Sequence, residues 1–125
     1  MGTKAAIKLK QAKNEILLYK QFDGDPDYCG AILRDFIFKK EKKEKWCNLG
    51  RSTSPIHNLA SCLIKYNPGN FKNSNDYEGF VLDNEMYCNA SYWYIIELDL
   101  VIPTIKYSCI KCDSQETVFE EEYKL

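Results

Sequence analysis

Lys4-Ala5-Ala6-Ile7-Lys8-Leu9-Lys10, then Glu15 to Phe22, then Asp23-Gly24-Asp25-Pro26-Asp27: the reading of this opening stretch sets the fold class. Ala5, Ile7 and Leu9 alternate with Lys4, Lys8 and Lys10, the two-residue period of a strand with one wet face. Gln11 to Asn14 is a polar break, and Glu15 to Phe22 reads as a second strand rich in Ile, Leu, Tyr and Phe. So short a break makes an antiparallel hairpin the simplest connection.

The acidic turn then ends the strand. Gly24 tolerates backbone angles closed to other residues, and Pro26 pre-sets the first position of a helix. That assigns Asp25 as N-cap and puts Asp27 in the first turn, where the helix dipole favours negative charge. Cys29, Ile32, Leu33, Phe36 and Ile37 recur at helical spacing, so the first helix is expected to run to about Lys42. Its tail, Lys39 to Lys45, holds five lysines near the end where positive charge is favoured.

Further along, Trp46 to Thr53 reads as a connection, and Ser54-Pro55 repeats the start signal of a cap followed by proline. Ile56, Leu59, Ala60, Leu63 and Ile64 form the apolar stripe of a second helix, which Pro68-Gly69 ends. Asn67 to Asp76 is a polar loop. Ser91 to Leu98 and Thr104 to Lys111 read as strands, Asp113-Ser114 as a turn, and Thr117 to Tyr123 as an acidic edge strand. The expectation is one α+β domain over 1–125 in the order β-β-α-α-β-β. Its antiparallel sheet of four or five strands carries two helices on one face.

Composition narrows the function classes. In 125 residues, 45% are hydrophobic, enough for a core and against disorder. Seventeen Lys+Arg against 18 Asp+Glu leave no net field to attract nucleic acid or anionic lipid. The longest apolar stretch, Tyr92 to Ile102, is interrupted by Glu97 and Asp99, so no membrane span is expected. With no signal-peptide pattern at Met1 to Lys10, the six cysteines are expected as reduced thiols in a cytoplasmic protein.

Each chemical motif has a structural and a functional reading. Asp23, Asp25 and Asp27 suit a hard cation by residue type, but Tyr28 and Arg34 occupy the positions where an EF-hand needs glycine and glutamate. Capping and the helix dipole account for the acids without a metal. Cys109 and Cys112 have zinc-ligand spacing, yet they are a single pair where a structural site uses four ligands. Arg51, Ser52, Thr53 and Ser54 precede a helix start, where free N–H groups attract phosphate, although no Walker pattern is present. His57, the one histidine, has Cys62 five residues on, about 500° around a helix and so on a different face, which argues against a Cys-His dyad. The lysine run followed by Trp46 suits phosphate contact and base stacking, against which stand Glu41 and Glu44 and the balanced total charge. Tyr92-Trp93-Tyr94 must send aromatics to both sheet faces, which hints at an interface.

Met1-Gly2-Thr3, Leu18-Tyr19 and Phe22-Asp23-Gly24-Asp25-Pro26-Asp27-Tyr28-Cys29-Gly30 together resemble a family of small, mostly uncharacterised proteins of bacteriophages and bacterial mobile elements. The likeness covers about the first 35 residues. It implies a phage-type accessory protein that acts by binding in the host cytosol, plausible as an antagonist of a host defence system of the anti-CRISPR kind. A host protein or complex is the expected partner, and the binding surface is expected at Asp23, Asp25, Asp27 and Tyr28, because the hairpin strands feeding this turn fix it at low entropic cost. Two rivals stand beside it: a binder of a nucleotide or other phosphorylated ligand at Arg51 to Ser54, and a metal-dependent hydrolase built on the aspartates. No cofactor is expected, and no catalytic residue is assigned.

Overall fold

The computed structural model describes residues 3–47, 54–66, 79–86 and 89–125. Among these residues six strands form one sheet: β1 (Ala5–Gln11), β2 (Asn14–Lys20), β3 (Phe80–Asp83), β4 (Tyr92–Asp99), β5 (Thr104–Lys111) and β6 (Glu116–Lys124). A π-helical turn, Pro26–Gly30, leads into α1 (Ala31–Phe38); α2 (Lys40–Trp46) and α3 (Pro55–Lys65) follow. The protein is therefore α+β, as its strand and helix periods indicate.

The sheet is mixed, in the order β3-β2-β1-β4-β5-β6, and not the antiparallel sheet of four or five strands that the sequence predicts. The two hairpins at its ends are antiparallel, but β1 and β4 run parallel, Ile7 lying beside Tyr94 and Leu9 beside Ile96. β3 occupies the outer edge of β2, so β4 meets the open edge of β1. β3 is a strand the sequence reading left out: it has only four residues and no apolar alternation, with Val81 and Leu82 exposed.

One face of the sheet is the core. Two cross-strand rows run across it, Leu18–Ile7–Tyr94–Cys109–Phe119 and Ile16–Leu9–Ile96–Tyr107–Glu121. Against them pack Leu33, Phe36 and Ile37 of α1, Trp46 of α2, and Ile56, Leu59 and Leu63 of α3. Lys20 is also buried here, its ammonium 5.5 Å from the centre of the Phe80 ring.

The other face carries charge in register. Glu15, Lys10, Glu97, Lys106 and Glu122 are successive cross-strand neighbours on five strands, alternating in sign. Opposite charges so placed contribute roughly 0.2–1 kcal/mol per pair. A slip of one residue would turn core side chains outward. A slip of two would keep the faces but set Glu97 against Thr104 or Ser108. The ladder thus selects among registers that hydrophobicity alone cannot separate.

The single helix expected over the first helical stretch is two. Lys39 is extended (φ −72°, ψ 121°) and separates α1 from α2, which gives three α-helices among the described residues where two were expected. The cause is Trp46. Its indole Nε1–H donates to the carbonyl of Phe36 at 2.7 Å, an acceptor that a continuous helix would give to the N–H of Lys40. Trp46 is fully buried, so it is not available to stack on a nucleic-acid base. Lys42 of the same run lies over the rings of Phe36 and Tyr66, at 4.9 and 5.1 Å.

Candidate functional site

The acidic turn is where exposed chemistry and rigid support coincide. It follows the last residues of β2 and crosses the end of β1. Asp23 has left-handed backbone angles (φ 54°), which aspartate tolerates better than most residues. Gly24 N–H donates to the carbonyl of Thr3 at 2.8 Å, and the Gly24 carbonyl accepts from the Tyr94 hydroxyl at 2.7 Å. Cys29 N–H donates to the Asp23 carbonyl at 3.1 Å, and the Tyr107 hydroxyl to the Gly30 carbonyl at 2.8 Å. Strands β4 and β5, and Thr3 just ahead of β1, therefore hold the turn.

Of the predicted residues, Asp23 and Asp27 are exposed, Asp25 is half-buried and Tyr28 is 58% exposed. Asp25 stands at the N-cap position with extended angles, but its side chain makes no capping bond. The π-wound first turn replaces that cap: the Asp25 carbonyl accepts from the N–H groups of Tyr28 and Gly30, at 3.1 and 3.4 Å. Among the described residues, no three His, Cys, Asp or Glu side chains come together as a metal would need. The aspartates follow the rim of the turn.

Ser54 is also at an N-cap position without a capping bond of its own. Its Oγ donates to Gln11 Oε1 at 3.1 Å, and the same oxygen accepts the Ile56 N–H at 3.4 Å. The amide of β1 thus occupies a donor that the sequence reading offers to a phosphate. Arg51, Ser52 and Thr53 lie outside the described residues, as do Cys88 and the whole Asn67 to Asp76 loop. His57 is exposed on α3.

Beside the turn lies a feature the sequence does not announce. An open cleft of about 460 Å³ is lined by Thr3, Ser91, Tyr92, Lys111, Cys112 and Asp113, among others. It shares Thr3 with the turn, because β1, β4 and β5 all reach this end of the sheet. Only strand order brings these distant segments together.

The tyrosines that support the turn need their protons. Burial pushes the hydroxyls of Tyr94 and Tyr107 well above the ordinary tyrosine range. It also raises the Cys29 thiol, and it holds Cys109 at about 11. These thiols are poor nucleophiles at neutral pH. Above pH of about 10 the tyrosines of the unfolded chain ionise while the buried pair stay protonated, so the folded state binds more protons and stability falls as pH rises. Stability should be flat in this respect below that value. Alkaline titration should show two tyrosines whose near-ultraviolet tyrosinate signal appears only on unfolding; normal titration of all nine would contradict the hydrogen-bonded geometry.

Arg34 Nη1 of α1 donates to both carboxylate oxygens of Glu121 of β6, at 2.8 and 2.7 Å, and the guanidinium lies over the rings of Phe38, Tyr107 and Phe119. These contacts clamp α1 onto the end of the sheet.

No family model, curated protein or solved structure matches this chain. No helix among the described residues is long and apolar enough to cross a membrane.

Proposed function

We propose that the protein acts by binding a macromolecular partner through the Asp23–Tyr28 turn. The observation that carries this reading is the exposed Tyr28, next to exposed Asp27 and downstream of exposed Asp23, on a turn fixed by bonds to β4, to β5 and to Thr3 just ahead of β1. A surface ordered before binding loses little conformational entropy on docking. Tyrosine is the side chain that interfaces favour, and flanking carboxylates suit a basic partner surface with faster association at low salt. The resemblance of the first 35 residues to phage and mobile-element proteins supports an accessory role in a host cytosol, with a host defence complex as the class of partner.

The test is capture from host lysate by the wild-type protein and by Asp23→Asn/Tyr28→Ala. Asparagine keeps the left-handed backbone comfortable where alanine would strain it, so the double variant should melt within about 2 °C of wild type. Its partner affinity should fall at least tenfold, the ordinary scale of losing a tyrosine anchor and a charge contact. Equal capture by a folded double variant would remove the turn from the interface. A retained nucleotide, or turnover that depends on added metal, would favour one of the rival readings instead.

A further inference from the structure

The two edges of the sheet are built differently. β3 is short, four residues, which by itself blunts an edge. β6 has nine residues, and Thr117, Val118, Glu120, Glu122 and Tyr123 are all exposed. As the last strand it presents a row of backbone N–H and C=O groups directed away from β5. Its one interruption is the bulge near Val118, opposite Cys109 and Ile110.

Side chains make this edge selective. On the charged face, Glu120 lies across from Ser108, forms no ion pair among the described residues, and shares that face with Glu122. A second copy of β6 paired in the register that sets Glu120 against Glu122 would bring like charges together. A strand with lysine or arginine at alternate positions would extend the sign alternation of the sheet. On the core face, the edge is rimmed by Phe38 of α1 packed against Tyr123, ring centres 4.3 Å apart, and by Glu121 in its ion pair with Arg34. Apolar residues at the intervening positions of the same strand would meet that rim.

We propose that β6 is a docking edge that accepts an extended segment of a partner protein, basic and apolar at alternating positions, as a seventh strand. Backbone pairing supplies affinity and the two faces supply selectivity. This surface is separate from the Asp23–Tyr28 turn.

The probe is a blocked hexapeptide alternating lysine and valine, compared with a lysine–proline peptide of equal charge that cannot pair and with a glutamate–valine peptide. Amide NMR should show shifts and slowed exchange along 117–124 with the lysine–valine peptide only. Glu120→Lys/Glu122→Lys should weaken that peptide roughly tenfold and favour the glutamate peptide, as two cross-strand charge pairs change sign. Glu120→Gln/Glu122→Gln, which keeps side-chain shape, should show the intermediate loss if the reversal variant folds poorly. Equal binding of the lysine–proline peptide, shifts centred elsewhere, no binding at millimolar peptide, or dimerisation through β6 would each overturn the proposal. The Asp23→Asn/Tyr28→Ala variant should bind the probe like wild type, so failure of the turn reading and failure of this one are separable.

Discussion

Gly24→Ala is expected to destabilise the protein by roughly 3 kcal/mol, the upper part of the usual range for forcing a methyl group into a filled space. A methyl carbon there would stand 2.7 Å from the Thr3 carbonyl oxygen and 2.8 Å from both the Cβ and the N of Ala5. None of these is the flexible end of a side chain. They belong to β1 and its approach, and β1 is paired on both sides, so neither partner can step back. The clash acts through space and not through torsion, since no glycine among the described residues has positive φ. Relief would require moving the turn away from Thr3 and Tyr94, breaking the bonds that hold it. Gly30→Ala is the control. Its added methyl would meet Tyr94, Pro26 and Tyr107 at 3.5–3.6 Å, ordinary contact, and the helical position gains about 0.5–1 kcal/mol from alanine. Chemical denaturation should therefore order the three proteins Gly30→Ala at or above wild type, with Gly24→Ala far below.

Trp46→Ala is expected to cost more, about 3–5 kcal/mol, from the cavity left by a fully buried indole. The Phe36 carbonyl would also lose its donor. Trp46→Phe weighs the two contributions differently, because the phenyl ring keeps most of the buried volume while the N–H is lost; it should cost about 1–3 kcal/mol. In thermal melts the alanine variant should fall by roughly 10 °C or more and the phenylalanine variant by several degrees. If phenylalanine were as damaging as alanine, the hydrogen bond and not the packing would be what orders α2. If both were mild, Trp46 would not be the reason the helix breaks at Lys39.

What could be read in advance follows from what is local. The hairpin of β1 and β2 is legible because its period and its break lie in neighbouring residues. Pro26 and Pro55 announce helix starts because their geometry is their own. The break at Lys39 is not legible, since it depends on an indole seven residues later reaching back to Phe36. Nor is the parallel pairing of β1 with β4, which depends on β3 filling the other edge of the hairpin. The candidate site divides in the same way. Asp23 to Tyr28 stands out as a turn from its composition, whereas the tyrosine hydroxyls that fix it come from β4 and β5, and the capping of α3 by Gln11 comes from β1. Residues that present a surface are visible in their own segment; residues that support it are not.

The parallel seam between β1 and β4 also determines the order in which the molecule can assemble. β1 with β2, and β4 with β5 and β6, are neighbours along the chain and can pair within short loops. Their union must close nearly all the chain between Gln11 and Tyr92, at a loop-closure entropy recovered only when both halves are already ordered. The seam is therefore the pairing with the largest loop-closure cost in this sheet, and that cost is expected to slow folding. Until it closes, β1 and β4 each show an apolar edge to other chains, so the time spent in that interval governs how readily the protein aggregates during synthesis.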